Sequence, residues 1–429
     1  MSGKTFPATN LTIDDPTSAE IAPKGKFVVW ASILSILFFS QIAYNIGEFP
    51  VSTAFICYAL ITLYLVTSGY ASLSIPTLIL YLIAGAFACL TMARTTSLAS
   101  WTSLLLLSAL YAPFSFRLKN ASDLEPIQQY IERAYVSAAT AISVIAVIQI
   151  VLVNVFDASY LTNVYFILPE EIRGAGSYTF FREGGGIVKA NGFFLRESGA
   201  LSIVIGLAMI IEYFTRVRWR ILAILAAGLF CSFSGSGILA LILGFLMPRS
   251  LNRVPHFLIS SLVFILVFSA LYSLEIPGLT IFFDRLSEFT TPGTSGYARF
   301  VAPMDMVQPS LDEGGATMWL GHGAGSYLRS TGLLGLKYEI NDPTWAKLIY
   351  EYGLVGLTLI SALFVARVYS SNLRPEICNF ILFVWVSNGT LLSPDFAEVF
   401  WLLTLVPQAY RRSVSTGSPR EPGKVFNVG

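Results

Sequence analysis

"REGGGIVKANGFFLRES", residues 182–198, sets two arginines, a lysine and three successive glycines between two long apolar runs. Its setting decides the fold class. The chain has 429 residues, of which 55% are hydrophobic and only 12% charged, and its mean hydropathy is +0.67. A soluble domain carries about 25% charged residues, so this deficit indicates a polytopic membrane protein. A net charge of +1 argues against a nucleic-acid partner, because nucleic-acid binders concentrate positive charge. The cysteines, Cys57, Cys89, Cys231 and Cys378, lie far apart inside apolar runs, as small packing residues do. With only two histidines a multi-histidine metal site is excluded, and no metal or cofactor is expected.

Crossing the hydrocarbon core takes about 17–25 helical residues. Apolar segments near 27–46, 50–68, 73–93, 97–116, 134–156, 198–214, 218–233, 235–248, 256–276, 343–366, 376–392 and 396–410 predict an all-α protein of about twelve transmembrane helices. The short segments 235–248 and 396–410 leave room for eleven or thirteen. The seventh and eighth meet at "SFSGSG", 232–237, where serines and glycines favour a tight turn.

Lysine and arginine bias in short loops sets orientation. With the N-terminus inside, the cytoplasmic pieces hold Lys24, Lys26, Arg117, Lys119, Arg133, Arg216, Arg218, Arg220, Arg249, Arg253, Arg367, Arg374, Arg411 and Arg412, while the short outer turns hold Arg94 and little else. Both termini are therefore expected in the cytoplasm. The first span is expected to be retained rather than cleaved as a signal. The connector 120–135 reads as a separate interfacial helix, with Ser122 and Glu125 as a capping box before Pro126. The predicted divisions are a cytoplasmic tail (1–26), five spans with the interfacial helix (27–156), an outer loop (157–197), four spans (198–276), a larger outer loop (277–342), three spans (343–410) and a cytoplasmic tail (411–429). Long loops are functional or disordered, and the aromatic and aliphatic residues in these two predict folded ones.

Outer loops need no basic residues for topology, yet 157–197 contains Arg173, Arg182, Lys189 and Arg196, and 277–342 contains Arg285, Arg299, Arg329 and Lys337. Arginine presents a planar fork that matches phosphate oxygens, and glycines let backbone N–H groups approach an anion. "GAGSY" (174–178), "GGG" (184–186) and "GHGAGS" (321–326) fit that use. Together they predict an anion site at the loop–span junctions, where the head group of a lipid-linked diphosphate would lie. For any single arginine, a salt bridge or a solvated position is the competing reading.

Four segments resemble bacterial Wzy-type polymerases and O-antigen ligases. "GGGIVKANGFFLRESGAL" (184–201) is similar to the segment that opens a span with Phe–x–Glu–Ser. "FSGSGILALILG" (233–244) resembles the Ser-x-Ser-Gly span. "GYARFVAPMDMVQPSLDEGGATMWLGHGAGSY" (296–327) resembles the large outer loop, and "DPTWAKLIYEYGLVGL" (342–357) resembles the span closed by Glu-x-Gly-x-x-Gly. The resemblance covers about 184–357 and suggests an exopolysaccharide polymerase of the xanthan-like kind. It implies a GT-C-like enzyme of the bacterial inner membrane with periplasmic loops. The implied donor is an undecaprenyl-pyrophosphate-linked oligosaccharide, and the acceptor a hydroxyl of a second lipid-linked repeat unit. A chain-length regulator and a flippase are the implied protein partners.

On that resemblance Arg196 and Arg299 would act on the donor diphosphate, joined by Arg182, with Arg173 and Arg285 as further contacts. The position where ligases carry histidine falls on Asp342, which would orient or deprotonate the acceptor, or else cap the helix entered at Pro343. His322 is an alternative base or an exposed loop histidine. Glu197 would hold Arg196 or an acceptor sugar. Lys347 and Tyr350 are expected on one helical face toward the same vestibule. Trp319, Trp345 and Tyr327 would stack on sugars or anchor the interface. The spacing Arg-x(10)-Gly, described for some polymerases, occurs at Arg173 and at Arg285 and adds little in loops this rich in glycine. The rival readings are an O-antigen ligase, a flippase or transporter, and a purely structural membrane protein. A carrier would keep ionisable groups inside its spans, whereas the expected spans are almost free of charge.

Overall fold

A computed structural model describes residues 23–46, 49–93, 98–119, 124–173, 187–247, 254–273, 289–333 and 340–408. The chain is mostly helical, and among the described residues four helices are long and apolar enough to cross a membrane. They are α3 (Ile75–Met92), α5 (Leu124–Val155), α6 (Ser198–Thr215) and α14 (Thr344–Tyr369), which coincide with four of the twelve expected segments. Other helices occupy further expected segments: α1 (Pro23–Phe38), α2 (Thr53–Thr67), α4 (Trp101–Tyr111), α7 (Trp219–Ser232), α8 (Gly235–Leu246), α9 (Val254–Ser273), α15 (Pro375–Ser387) and α16 (Pro394–Leu403). Leu60, Ile79, Leu82, Leu90, Leu105 and Ile148 stand exposed on these helices, as side chains facing lipid do. The inward faces bury Phe364, Phe380, Trp385, Phe400 and Trp401 in one continuous core.

Three features go beyond or against these expectations. First, the mostly helical fold, in keeping with the all-α reading, also carries short strands. β1 (Ala43–Ile46) pairs antiparallel with β2 (Phe49–Ser52), and β3 (Ala71–Leu73) with β4 (Phe116–Leu118). Pro50 cannot continue a helix, so α2 begins only at Thr53, where the Ser52 hydroxyl accepts from the Phe55 amide at 3.2 Å. Second, the expected interfacial helix is not separate. It forms the opening of α5, a single helix of 32 residues, about 48 Å long at 1.5 Å per residue. Gln128, Ile131, Glu132, Ala134 and Tyr135 bury its early turns, so the amphipathic face is used for packing; Ser122 lies outside the described residues. Third, charge does enter the helices. Glu351, Arg367 and Glu398 are fully buried. Arg367, expected in a loop, lies within α14 and donates to the carbonyls of Phe114 (3.0 Å) and Phe116 (2.9 Å) and to Thr404 Oγ1 (3.2 Å), tying α4's end and α16 to α14.

The described residues of the stretch 289–333 are mostly helical. They form α10 (Ser295–Phe300), α11 (Ala302–Glu313), α12 (Gly315–Leu320) and α13 (Ser326–Leu333). A small core of Ala302, Met306, Val307, Tyr327, Ile340 and Ala346 fastens them to the start of α14.

α14 kinks at Gly353, whose φ of 65° and ψ of −172° interrupt the helical run. The kink leaves the carbonyls of Tyr350 and Glu351 without helical donors, and the turn after α12 supplies them: the His322 amide donates to Tyr350 O (2.9 Å) and the Gly323 amide to Glu351 O (2.8 Å). The two backbones are so close that a Cβ on Gly353 would sit 2.3 Å from the Trp319 carbonyl carbon. Gly353→Ala is expected to cost at least about 2 kcal/mol, from the strained φ and the collision together. Gly332→Ala, where a Cβ meets nothing within 4 Å, should change stability by no more than about 0.5 kcal/mol. Thermal unfolding of both variants in detergent checks the contrast.

Candidate functional site

The segment 187–197 reaches the site by a rigid path. Gln149 of α5 and Asn191, both buried, form its anchor. Gln149 Nε2 donates to Leu161 O (3.0 Å), Thr162 O (2.8 Å) and Asn191 Oδ1 (2.8 Å), and Gln149 Oε1 accepts from the amides of Asn191 (3.1 Å) and Phe193 (3.3 Å). Gly192, at φ 68°, presses against α5 where a Cβ would meet Ile142 Cγ2 at 2.6 Å. Beyond it, Gln41 Nε2 donates to the carbonyls of Phe194 (3.0 Å) and Leu195 (2.9 Å) just past the end of α1. Arg196 is thereby delivered to one place, the cavity between the ends of α1, α6, α14, α15 and α16.

That cavity measures about 650 Å³. Arg196, Glu197, Arg299, Asp342 and Lys347 all line it, so the structure gathers five of the residues singled out from the sequence. Three ion pairs organise them. Arg299 faces Glu197 at 3.5 Å and donates to Ser236 Oγ at 2.5 Å. Lys347 Nζ meets Asp342 Oδ2 at 2.9 Å. Arg196 Nε lies 3.8 Å from Asp395 Oδ2, and its Nη2 donates to Ser40 O at 3.3 Å. Lys347 is the most deeply placed, with its side chain 3% exposed; Asp342 is 30% exposed and reaches the cavity. Asp342 caps no helix: its carboxyl serves Lys347 and packs against Gly389, where a Cβ would come within 2.7 Å of Oδ1. The tie from α10 is direct, since the Asn341 amide donates to Ala298 O at 3.0 Å and so couples the Arg299 helix to the residue before Asp342. Apolar walls of Ile36, Ile203, Val204, Phe396 and Val399 complete the enclosure.

Other expected residues lie elsewhere. Arg173 is engaged at the outer rim of 157–197, donating to Leu168 O (2.8 Å), pairing with Glu170 (3.7 Å) and covering the Tyr165 ring at 5.1 Å. Tyr350 does not share the cavity with Lys347. It turns toward the loop domain, where its hydroxyl donates to Ser330 Oγ (2.9 Å) and its ring stacks on His322 at 4.4 Å. His322 is thus a packed residue, with Nε2 3.1 Å from Ser310 Oγ. Trp319 is half exposed and Tyr327 buried, its hydroxyl donating to Asn341 O at 2.9 Å. Arg182 and Arg285, with "GAGSY" and "GGG", lie outside the described residues.

The glycine turn 321–326 does cradle an acidic group, but the chain's own. Besides the two amides that serve the kink, the Tyr327 amide donates to Glu351 Oε1 at 3.4 Å and the Gly325 amide also bonds that carboxyl. The turn is an internal clasp.

Sequence reasoning missed Ser236 and Asp395. Ser236 belongs to "SFSGSG", read as a turn and as part of the Ser-x-Ser-Gly resemblance but not as a partner for Arg299, whose guanidinium it accepts from. Asp395 opens α16, and the available signal was a pair of acids three residues apart, Asp395 and Glu398, at the head of an apolar segment. Asp395 has one buried oxygen, Oδ1, with no hydrogen-bond partner among the described residues. Burial pushes its carboxyl up to about 6, against the opposing pull of Arg196. Among the described residues no three His, Cys, Asp or Glu side chains converge as a metal site would require.

Neither the family models nor the curated proteins compared with this chain match it. The physics of the cavity therefore carries the functional argument. Its deepest pair makes a first test. Removing one partner of a buried ion pair costs about 3–5 kcal/mol. A double-mutant cycle of Asp342→Asn and Lys347→Met should return a coupling of about 1 kcal/mol or more in unfolding free energy. A coupling near zero would mean the pair does not form.

Proposed function

We propose that this chain is a polysaccharide polymerase that joins undecaprenyl-pyrophosphate-linked oligosaccharide repeat units into exopolysaccharide or O-antigen, at the periplasmic face of the bacterial inner membrane with both termini cytoplasmic. The observation that carries this reading is the convergence of Arg196 and Arg299 with three carboxylates in one cavity at the ends of apolar helices. A volume of about 650 Å³ lies within the range of about 300–1,000 Å³ usual for small-molecule sites. Its mixed lining suits a substrate that joins sugar, diphosphate and hydrocarbon.

The chemistry follows from the groups present. A diphosphate is already a good leaving group, and it gains negative charge as the sugar C1–O bond breaks. Two guanidiniums held at fixed positions stabilise that charge without having to reorganise. Both arginine pairs are long, 3.5 and 3.8 Å, so phosphate oxygens compete with Glu197 and Asp395 for the same N–H groups. Asp342, held by Lys347, presents an acceptor oxygen that orients the incoming sugar. Displacement by its hydroxyl inverts C1. A chain-length regulator and a flippase fit this reading as partners in the membrane.

The test supplies the purified protein with lipid-linked oligosaccharide alone. A ladder of repeat multiples on a gel is the expected product. Arg196→Ala and Arg299→Ala should each slow its formation by roughly 100-fold or more, the usual loss of an electrostatic stabiliser, while the proteins stay folded in the membrane. Asp342→Asn should raise the KM for the acceptor. Transfer only to a different acceptor would make the protein a ligase, and movement of lipid across vesicles without product would make it a carrier. As a check of sidedness, a cysteine placed at Thr294 should react with membrane-impermeant maleimide from the periplasm. Labelling only after lysis would put the cavity on the wrong side.

A further inference from the structure

Resting on the glycosyl-transfer reading above, we propose that Asp395, rather than Asp342, accepts the proton of the attacking acceptor hydroxyl. Three acids contribute pairs to the cavity, and two of them are committed. Asp342 Oδ2 lies 2.9 Å from Lys347 Nζ, whose side chain is 3% exposed. A proton placed on Asp342 would strip that buried ammonium of its nearest counter-charge, which the low-dielectric surroundings resist. Glu197 lies 3.5 Å from Arg299 and positions the guanidinium that holds the diphosphate.

Asp395 differs in geometry. Its Oδ2 is 3.8 Å from Arg196 Nε, beyond hydrogen-bond range, and its Oδ1 is buried with no donor among the described residues. Buried carboxyl oxygens are nearly always satisfied, so a cavity-lining residue whose carboxylate keeps one oxygen without a donor has spare capacity to take a proton. The charged groups around it are Arg196 from the segment before α6, Asp342 and Lys347 from the start of α14, Glu197 and Arg299 across the cavity, and Glu398 one turn further along α16. Arg299 reaches the cavity from α10 and Asp395 from α16, so the two groups are carried by different elements. In the step, the acceptor oxygen forms its bond to C1 and its proton passes to the Asp395 carboxylate. The bond from C1 to the phosphate oxygen breaks, and its electron pair leaves on the diphosphate. The carboxyl group's position near 6 suits it to take up a proton at neutral pH and release it to water afterwards.

The test uses the full-length protein in vesicles with lipid-linked oligosaccharide and follows single-turnover rate against pH. Wild type should lose rate on the acid side with a midpoint near 6, because the base must be deprotonated. Asp395→Asn should be slower by about 100-fold or more, and its residual rate should no longer show that limb. Asp395→Glu should keep the limb at a reduced rate, which covers the case in which the amide does not fold. Asp395→Asn with the limb intact and a rate within threefold of wild type overturns the proposal, as does the limb disappearing in Asp342→Asn instead. A wild-type protein that makes no ladder refutes the glycosyl-transfer reading itself, and this assignment with it.

Discussion

Glu351 is fully buried halfway along the upper part of a membrane-length helix, and the arrangement of the cavity end follows from how its carboxyl is satisfied. Backbone amides of the 321–327 turn bond it from one side, and Lys347, one helical turn earlier, lies on the same face. Lys347 in turn holds Asp342 at the cavity rim. The kink at Gly353 makes this possible. By interrupting the helix it releases two carbonyls for the same turn, so the loop domain is tied to α14 by backbone hydrogen bonds as well as by a side chain. The glycines at 321, 323, 325 and 353 serve this close approach, which no side chain at 321 or 353 would permit.

Above that clasp the cavity balances three cations against three acids. The balance is uneven in a useful way. The lysine pair is short and its ammonium is the most deeply buried group, whereas the two arginine pairs are long. A short pair with a buried ammonium resists exchange because that charge would be stranded in low dielectric. A long pair yields more readily to a stronger ligand, and a diphosphate is such a ligand for guanidinium. The same site therefore combines one fixed pair with two exchangeable ones. At the other end of the bundle Arg367 joins α14 to the end of α4 and to α16, and it does not line this cavity.

Much of this was legible in the residues. The helical, membrane-type character follows from composition, since a chain so poor in charge cannot solvate itself. Arg196, Glu197, Arg299, Asp342 and Lys347 stood out because basic and acidic groups beside glycines at the ends of apolar runs have few structural duties. Arg173, Tyr350 and His322 stood out for the same reasons yet are spent on local bonds. Their types are equally reactive on paper, and only their neighbours separate them. The continuous α5 and the paired strands near Pro50 escaped because both depend on which surfaces meet: an amphipathic stretch packs against protein or lies at an interface according to what lies beside it.

By itself, then, the order of residues determined that the chain is a bundle of apolar helices carrying a set of cations at the junctions, because hydropathy and charge are properties of a segment alone. The tertiary structure alone decided which of those groups share a cavity, that Asp395 and Ser236 join them, and that the 321–326 glycines clasp Glu351. Those outcomes rest on distances between segments up to 200 residues apart, and pairing across such distances is set by packing, on which local sequence carries no information.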